Sequence, residues 1–333
     1  MSKSVKNIIQ YAIILGIGGV FLFYVFNGID WADQLQRIKS ANPYWLTLGM
    51  SISLLSHWFR AYRATMLYDA LNYKISTKNS IYAVLIGYLV NYFIPRAGEV
   101  SRCAALSKTD GIPMEKSLGS VVTERVVDMF ILLIILIVIV VLQIDLIKQF
   151  VESYSGLNEQ SASNGTLKFV ILGVLAGGLA VIYFFRKRIS GFPLVQRFIL
   201  LLKGFGEGLL SIKDVKNPIL FVILSILIWV GYIFMMYFCL FALESTASLS
   251  FVDCLTVFAI GTIGVVLPAP GAGAGTYHFF VMQSLLLFGV QKEDGIAYAT
   301  LVHGTQMVFL IAFGLIASFI VFLQKKNTVN EQI

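Results

Sequence analysis

Six predominantly apolar runs, each close to the length of a bilayer crossing, constrain this chain more than any other feature. They are Ile8–Phe26, Tyr44 to about Met66, Leu118–Leu142, Leu167–Phe185, Ile219–Leu243 and Ile296–Leu323. A hydrocarbon core ~30 Å thick needs about 20 helical residues to cross it. The first run follows Lys3 and Lys6 but lacks a small-x-small cleavage site before Asn27, so it reads as a retained span and not as a signal peptide. Composition agrees: 58% of the 333 residues are hydrophobic and only 13% are charged, against about 25% charged in a soluble domain. There is too little polar side chain to cover a soluble surface. A cytosolic enzyme, a disordered chain and a DNA-binding module are excluded, and an all-α polytopic membrane protein is expected.

Two further apolar runs are too short. Ile81–Ile94 stops at Pro95 and Gly98, and Leu255–Leu267 stops at Pro268 and Pro270. At 1.5 Å per residue, 14 residues reach only ~20 Å, and each proline removes a helix donor. Each run is followed by a second apolar stretch, Val100–Leu106 and Tyr277–Val290. The reading is two re-entrant hairpins, at about 81–106 and 254–290. Non-helical backbone at that depth is tolerated only when protein or a watery cavity surrounds it.

Loop charge sets the orientation. With 25 Lys+Arg against 18 Asp+Glu the net charge is +7, and in such chains positive charge marks cytoplasmic loops. Lys3 and Lys6 place the N-terminus inside; Arg60, Arg63, Lys74 and Lys78 mark the next inner loop. The basic stretch Arg186–Lys216 is inside, as are Lys325 and Lys326. Loops bearing Asp145, Glu152 and Glu159, or Glu244 and Asp253, fall outside. This pattern divides the chain into inverted repeats at 1–145 and 167–326 around an outer loop at 146–166, with an amphipathic helix at about 195–213. Each repeat reads span, span, hairpin, span, an arrangement found in secondary transporters whose sites lie at broken helices.

Three clusters could carry chemistry. In Asn91-Tyr92-Phe93-Ile94-Pro95-Arg96-Ala97-Gly98-Glu99-Val100-Ser101-Arg102, arginines at a helix break suit a phosphate or carboxylate; Asn91, Arg96, Glu99 and Arg102 are the candidate ligand residues. The alternative is an internal Arg96–Glu99 salt bridge, or arginines snorkelling to headgroups. Glu124, Arg125 and Asp128 stand within one turn and read either as a buried charge network with Arg96 and Arg102 or as a proton relay. The segment Leu267–His278 offers Gly271, Gly273, Gly275 and His278. Its small residues permit an anion nest or simply a tight turn against the other hairpin. It has no nucleotide-binding context. His278 and His303 read as hydrogen-bonded core residues, the sequon at Asn164 is a weak match, and Cys103, Cys239 and Cys254 lack metal-ligand spacing. No metal and no cofactor are expected.

Taken together, Asn91–Arg102, the Glu124–Asp128 motif some twenty residues on, and Leu267–Gly275 resemble the lysylphosphatidylglycerol synthase transmembrane, or flippase-like, family over nearly the whole chain. The resemblance implies a multi-pass protein of a bacterial or archaeal inner membrane, with two re-entrant hairpins and a link to lipid translocation. Lipid-modifying members continue into a soluble aminoacyl-transfer domain; here the sequence ends about ten residues past the last span, so lysyl transfer is not expected. Ala272 stands where the family more often has glycine, and His278 where many members have an acidic residue. The expected function is a flippase or transporter of an anionic lipid or lipid-linked precursor, with no nucleic-acid partner. The alternative is a non-transporting scaffold or accessory subunit of an envelope-lipid synthase; a membrane enzyme is the weakest reading.

The orientation is directly checkable. Single cysteines at Ser155 and Lys292 are expected to react with an impermeant reagent from outside, and cysteines at Lys78 and Lys187 are not. External labelling at Lys78 contradicts the repeat assignment.

Overall fold

The computed structural model describes residues 3–95, 97–144, 215–267 and 269–324, and every described regular element is helical. The chain divides into two compact units, Met1–Ile139 with Ile212–Ile333, and Val140–Ser211. Of the second, only 140–144, where a long helix ends, falls within the described residues. The expected span at 167–185, the amphipathic helix at 195–213, the outer loop at 146–166 and its sequon lie outside them, as does Arg96.

In the first unit the order is α1 (Lys3–Phe26), α2 (Trp31–Ser40), α3 (Pro43–Ala70), α4 (Thr77–Phe93), α5 (Gly98–Asp110) and α6 (Met114–Leu142), then α7 (Pro218–Leu240), α8 (Phe251–Val266), α9 (Thr276–Leu286) and α10 (Lys292–Leu323). Among the described residues three helices, α6, α7 and α10, are long and apolar enough to cross a membrane. The segments Leu15–Phe26 and Trp31–Ser40 meet that test as a pair bent by 89°. The bend falls at Gly28, whose φ of 76° is a left-handed conformation suited to glycine. α3 has 28 residues, ample for a crossing, but buries charge along its length.

α6 shows why these helices cannot be read as soluble. Its buried face is Ser117, Ser120, Val121, Glu124, Val127 and Asp128, whereas Val122, Met129, Leu133, Ile134 and Ile137 are exposed. A helix on a soluble protein has the opposite polarity. Charges turned inward and hydrocarbon turned outward are what a lipid solvent selects.

The core is built on close contact between α3 and α7. A Cβ at Gly49 would lie 2.7 Å from the Cys239 Sγ, and one at Gly231 would strike Ser56 Oγ. Met50, Met236, Leu240, Val257, Val281, Leu285 and Val302 continue this core through α8, α9 and α10. There the Tyr298 hydroxyl donates to the Met236 carbonyl at 2.8 Å. α2 is a short helix started by the Asp30 carboxylate, which accepts from the Ala32 N–H at 2.8 Å. Its Arg37 bridges Asp33 and Asp294 in the first turn of α10. Hydrogen bonds that it donates to Asp33 and then Asp294 hold that guanidinium still more firmly protonated than an ordinary arginine.

Both short runs form helical hairpins. In α4–α5 the chain breaks at Ile94 and Pro95, and Asn91 Oδ1 accepts from the Gly98 N–H at 2.8 Å. Gly98 lies so close to the Gly87 carbonyl and the Asn91 amide that any Cβ there would collide. In α8–α9 a Cβ at Gly264 would meet the Thr276 carbonyl at 2.8 Å, and Thr276 Oγ1 donates to the Gly264 carbonyl at 2.6 Å. The intervening turn carries left-handed residues at Gly271, Ala272, Gly273 and Gly275. Gly275 and Pro270 press against the backbone of α1 at Gly18, and the turn also touches α4.

Two substitutions of opposite sign test this geometry. Gly98→Ala overpacks a backbone contact and is expected to cost about 1–3 kcal/mol of stability. Ala272, at φ 54° and ψ 41°, pays a Cβ penalty that glycine does not; Ala272→Gly is expected to gain roughly 0.5–1 kcal/mol after its entropy cost. Denaturant unfolding in micelles checks both.

Candidate functional site

The site grows from α3, which carries His57, Arg60 and Arg63 at a spacing of three, all buried. Arg60 Nη1 donates to Asp128 Oδ2 at 2.6 Å, and Arg63 Nη1 donates to Asp128 Oδ1 at 2.7 Å. The Asp128 carboxylate is thus clamped between two guanidinium groups. Arg63 Nη1 also donates to Ser225 Oγ of α7 at 3.0 Å. One turn earlier on α6, Glu124 receives both arms of Arg102 from α5, at 2.7 and 3.0 Å. This two-pronged fit is the strongest form such a pair takes. Arg63 Nη2, 3.6 Å from Glu124 Oε2, joins the two pairs into one network. Arg63 and Glu124 are completely buried, and Arg60, Arg102 and Asp128 are at most 5% exposed.

At the rim the pairing loosens. Arg125 Nε is 3.6 Å from Glu99 Oε1, and both side chains are partly exposed, 47% and 34%. Arg125 Nη1 lies 3.7 Å from Asp128 Oδ2. Among the described residues, four arginines therefore face three carboxylates. The buried Nε–H groups of Arg60, Arg63 and Arg102 have no partner.

A cavity of about 90 Å³ opens on this rim, lined by residues including Arg60, Tyr88, Asn91, Glu99, Arg102 and Arg125. Beside it lies a second of about 200 Å³, with Tyr88, Asn91, Pro95 and Glu99 on the first hairpin and Val265, Leu267, Ala272 and Gly273 among the residues facing from the second. Tyr88, Asn91 and Glu99 border both. Behind Tyr88, its hydroxyl lies 3.4 Å from that of Tyr232, which lies 3.3 Å from His57 Nδ1. One polar strip therefore runs from buried ion pairs through a cavity to the space between the hairpins.

A sequence model of the lysylphosphatidylglycerol synthase TM region matches residues 7–314. The chain belongs to that family. It is also similar, at 28% identity over 130 residues, to UPF0104 membrane protein MJ1595 of Methanocaldococcus jannaschii. That stretch is 38% of this chain and 39% of the relative, so the match spans about two-fifths of each. No solved structure matches. Family membership and the apolar outer faces of its helices make this a multi-pass membrane protein.

Within the family frame, the structure sorts the residues singled out from sequence. Glu99, Arg102, Glu124, Arg125 and Asp128 come together as one cluster. Asn91 lines both cavities, but its side-chain oxygen is occupied in capping Gly98. Gly273 borders the larger cavity, whereas Gly275 packs on α1 and Gly271 serves the turn. His278 borders neither; its Nδ1 accepts from the Gly275 N–H at 3.4 Å and its ring sits 5.1 Å from that of His303.

Arg60 and Arg63, read from sequence near the end of the second span and counted with the inner-side charges, are buried and hold Asp128. Arg96, the partner expected there, lies outside the described residues. The usable signal was the spacing of His57, Arg60 and Arg63, which keeps them near one face of a helix already long enough to span. Tyr88, Tyr232 and Ser225 gave no comparable signal.

Removing one partner from a buried pair strands the other charge, so Asp128→Ala is expected to destabilise the protein by about 3–5 kcal/mol. Adding Arg60→Met is expected to cost less than the two single effects summed, by roughly 0.5–3 kcal/mol. Asp69→Asn, at the exposed Lys216–Asp69 pair, is expected to change stability by less than ~1 kcal/mol. Unfolding free energies of the four proteins check the ranking.

Proposed function

We propose that the protein is a lipid transporter of flippase type, which passes a phosphate-bearing headgroup through the cavities between its two hairpins while the acyl chains stay in the bilayer. The observation that carries this reading is an arginine-rich cavity built among helices whose outer faces are hydrocarbon. Burying so many charges is expensive in a membrane and is typical of substrate pathways. The second hairpin contributes a turn of small residues, so its backbone approaches the first closely and leaves a gap with polar walls on one side and apolar walls on the other. That asymmetry suits an amphipathic substrate.

In this reading α4–α5 and α8–α9 are re-entrant, the repeats are inverted, six spans cross an inner membrane, and both termini are cytoplasmic. The substrate is an anionic lipid or lipid-linked precursor. Energy comes from the lipid gradient. Glu124 and Asp128 are each engaged by arginines, so proton uptake at either would break ion pairs already formed, and a relay through them is disfavoured.

The test is transfer of a fluorescent phospholipid in proteoliposomes containing only this protein. Transfer is expected to proceed without a partner and to continue when a protonophore collapses the pH gradient. An absence of transfer until an envelope-lipid synthase is added would support the scaffold alternative. Transfer that stops with the gradient, and loses that sensitivity in Asp128→Asn, would assign proton coupling to the network.

A further inference from the structure

Glu99 does not behave like the other carboxylates of the network. Glu124 and Asp128 are buried and bound by guanidinium groups at 2.6–2.7 Å. Glu99 is one-third exposed, borders both cavities, and reaches Arg125 only at 3.6 Å. It stands in the first turn of α5, where the helix dipole favours a negative charge of any origin. With Glu99 set aside, the network among the described residues holds four arginines against two carboxylates. Two of those arginines, Arg60 and Arg102, line the smaller cavity and keep a buried Nε–H unpartnered.

Resting on the transport reading, we infer that Glu99 is a resident stand-in for the ligand's phosphate. It occupies the anion position on Arg125 in the empty site and is displaced when a phosphate group arrives. The incoming phosphate takes the place of the carboxylate on Arg125 and lies against Arg102 and Arg60, while Glu99 turns toward the larger cavity, which it already borders. A weak internal anion of this kind limits the cost of leaving an arginine cluster empty inside a membrane. It also lowers the affinity for the ligand, which a transporter requires for release. The recognised chemistry is a single phosphate group, whether on a lipid headgroup or free.

The test is calorimetric titration of the purified protein in neutral detergent with three probes: short-chain phosphatidylglycerol, inorganic phosphate, and short-chain diacylglycerol as the phosphate-free control. Removing a competing, partly exposed partner is expected to tighten binding by roughly two- to five-fold in Glu99→Gln. Arg125→Gln is expected to weaken binding, and Glu99→Gln added to it is expected to bring no gain, because the competitor acts through Arg125. Diacylglycerol is expected not to bind. Glu99→Ala gives the same readout should the glutamine variant unfold. Tightening toward phosphatidylglycerol assigns the site to a lipid headgroup; tightening toward inorganic phosphate alone assigns it to free phosphate. Unchanged or weaker binding in a folded Glu99 variant, or no binding of either phosphate probe, overturns the inference. Tightened binding in Glu99→Gln, together with no lipid transfer by the unsubstituted protein in vesicles, would leave the inference standing and sink the transport reading.

Discussion

Arg60, Arg63, Arg102, Glu124 and Asp128 lie together inside a bundle whose outer surface is hydrocarbon, and much of the architecture serves to keep them paired. Born costs of many kcal/mol per ion make such a group unstable unless each charge has a partner at short range. Meeting that condition ties α3 to α6 through Asp128 and α5 to α6 through Glu124, and the Arg63–Ser225 bond adds α7. The first hairpin is thus held by its ion pairs as much as by shape. α6 shows the consequence most plainly, since its inward face is serine and carboxylate and its outward face is leucine and isoleucine.

Among the described residues the network is not internally neutral, with four arginines facing three carboxylates, and the pairing lengthens to 3.6–3.7 Å at the rim, where the cavity opens. The second hairpin walls the larger cavity beside it, positioned by the glycine-lined approach of α8 to α9 and by contact of its turn with α1. Two hairpins built on the same device, a broken helix returning against its own backbone across a glycine, thereby enclose a space that is polar on one side and largely apolar on the other, next to the arginine-lined cavity.

Much of this was legible in the sequence, because a bilayer leaves few alternatives. The apolar runs predicted helices, and Pro95 and Pro270 marked breaks that the structure places at hairpin bends. Glu124 and Asp128, one turn apart within an apolar run, announced a buried network. Their partners were less legible. Arg60 and Arg63 lie near the end of a predicted span and count as inner-side charge by composition; that both turn inward onto Asp128 depends on how α3 packs against α6. Asn91 was identified by its place in a motif, but its capping of Gly98 depends on the return angle of α5, which no local pattern encodes. Ala272 was noted as a departure from the family's glycine, and its left-handed conformation explains why glycine is common there.

The most direct test is a structure of the protein in nanodiscs containing a phosphatidylglycerol-rich bilayer. The account predicts a tetrahedral density against Arg125, Arg102 and Arg60, with Glu99 turned away toward the second hairpin and acyl chains leading out between the hairpins. A cavity free of lipid, with Glu99 still against Arg125 and lipid confined to the outer faces of α6, α7 and α10, would contradict it.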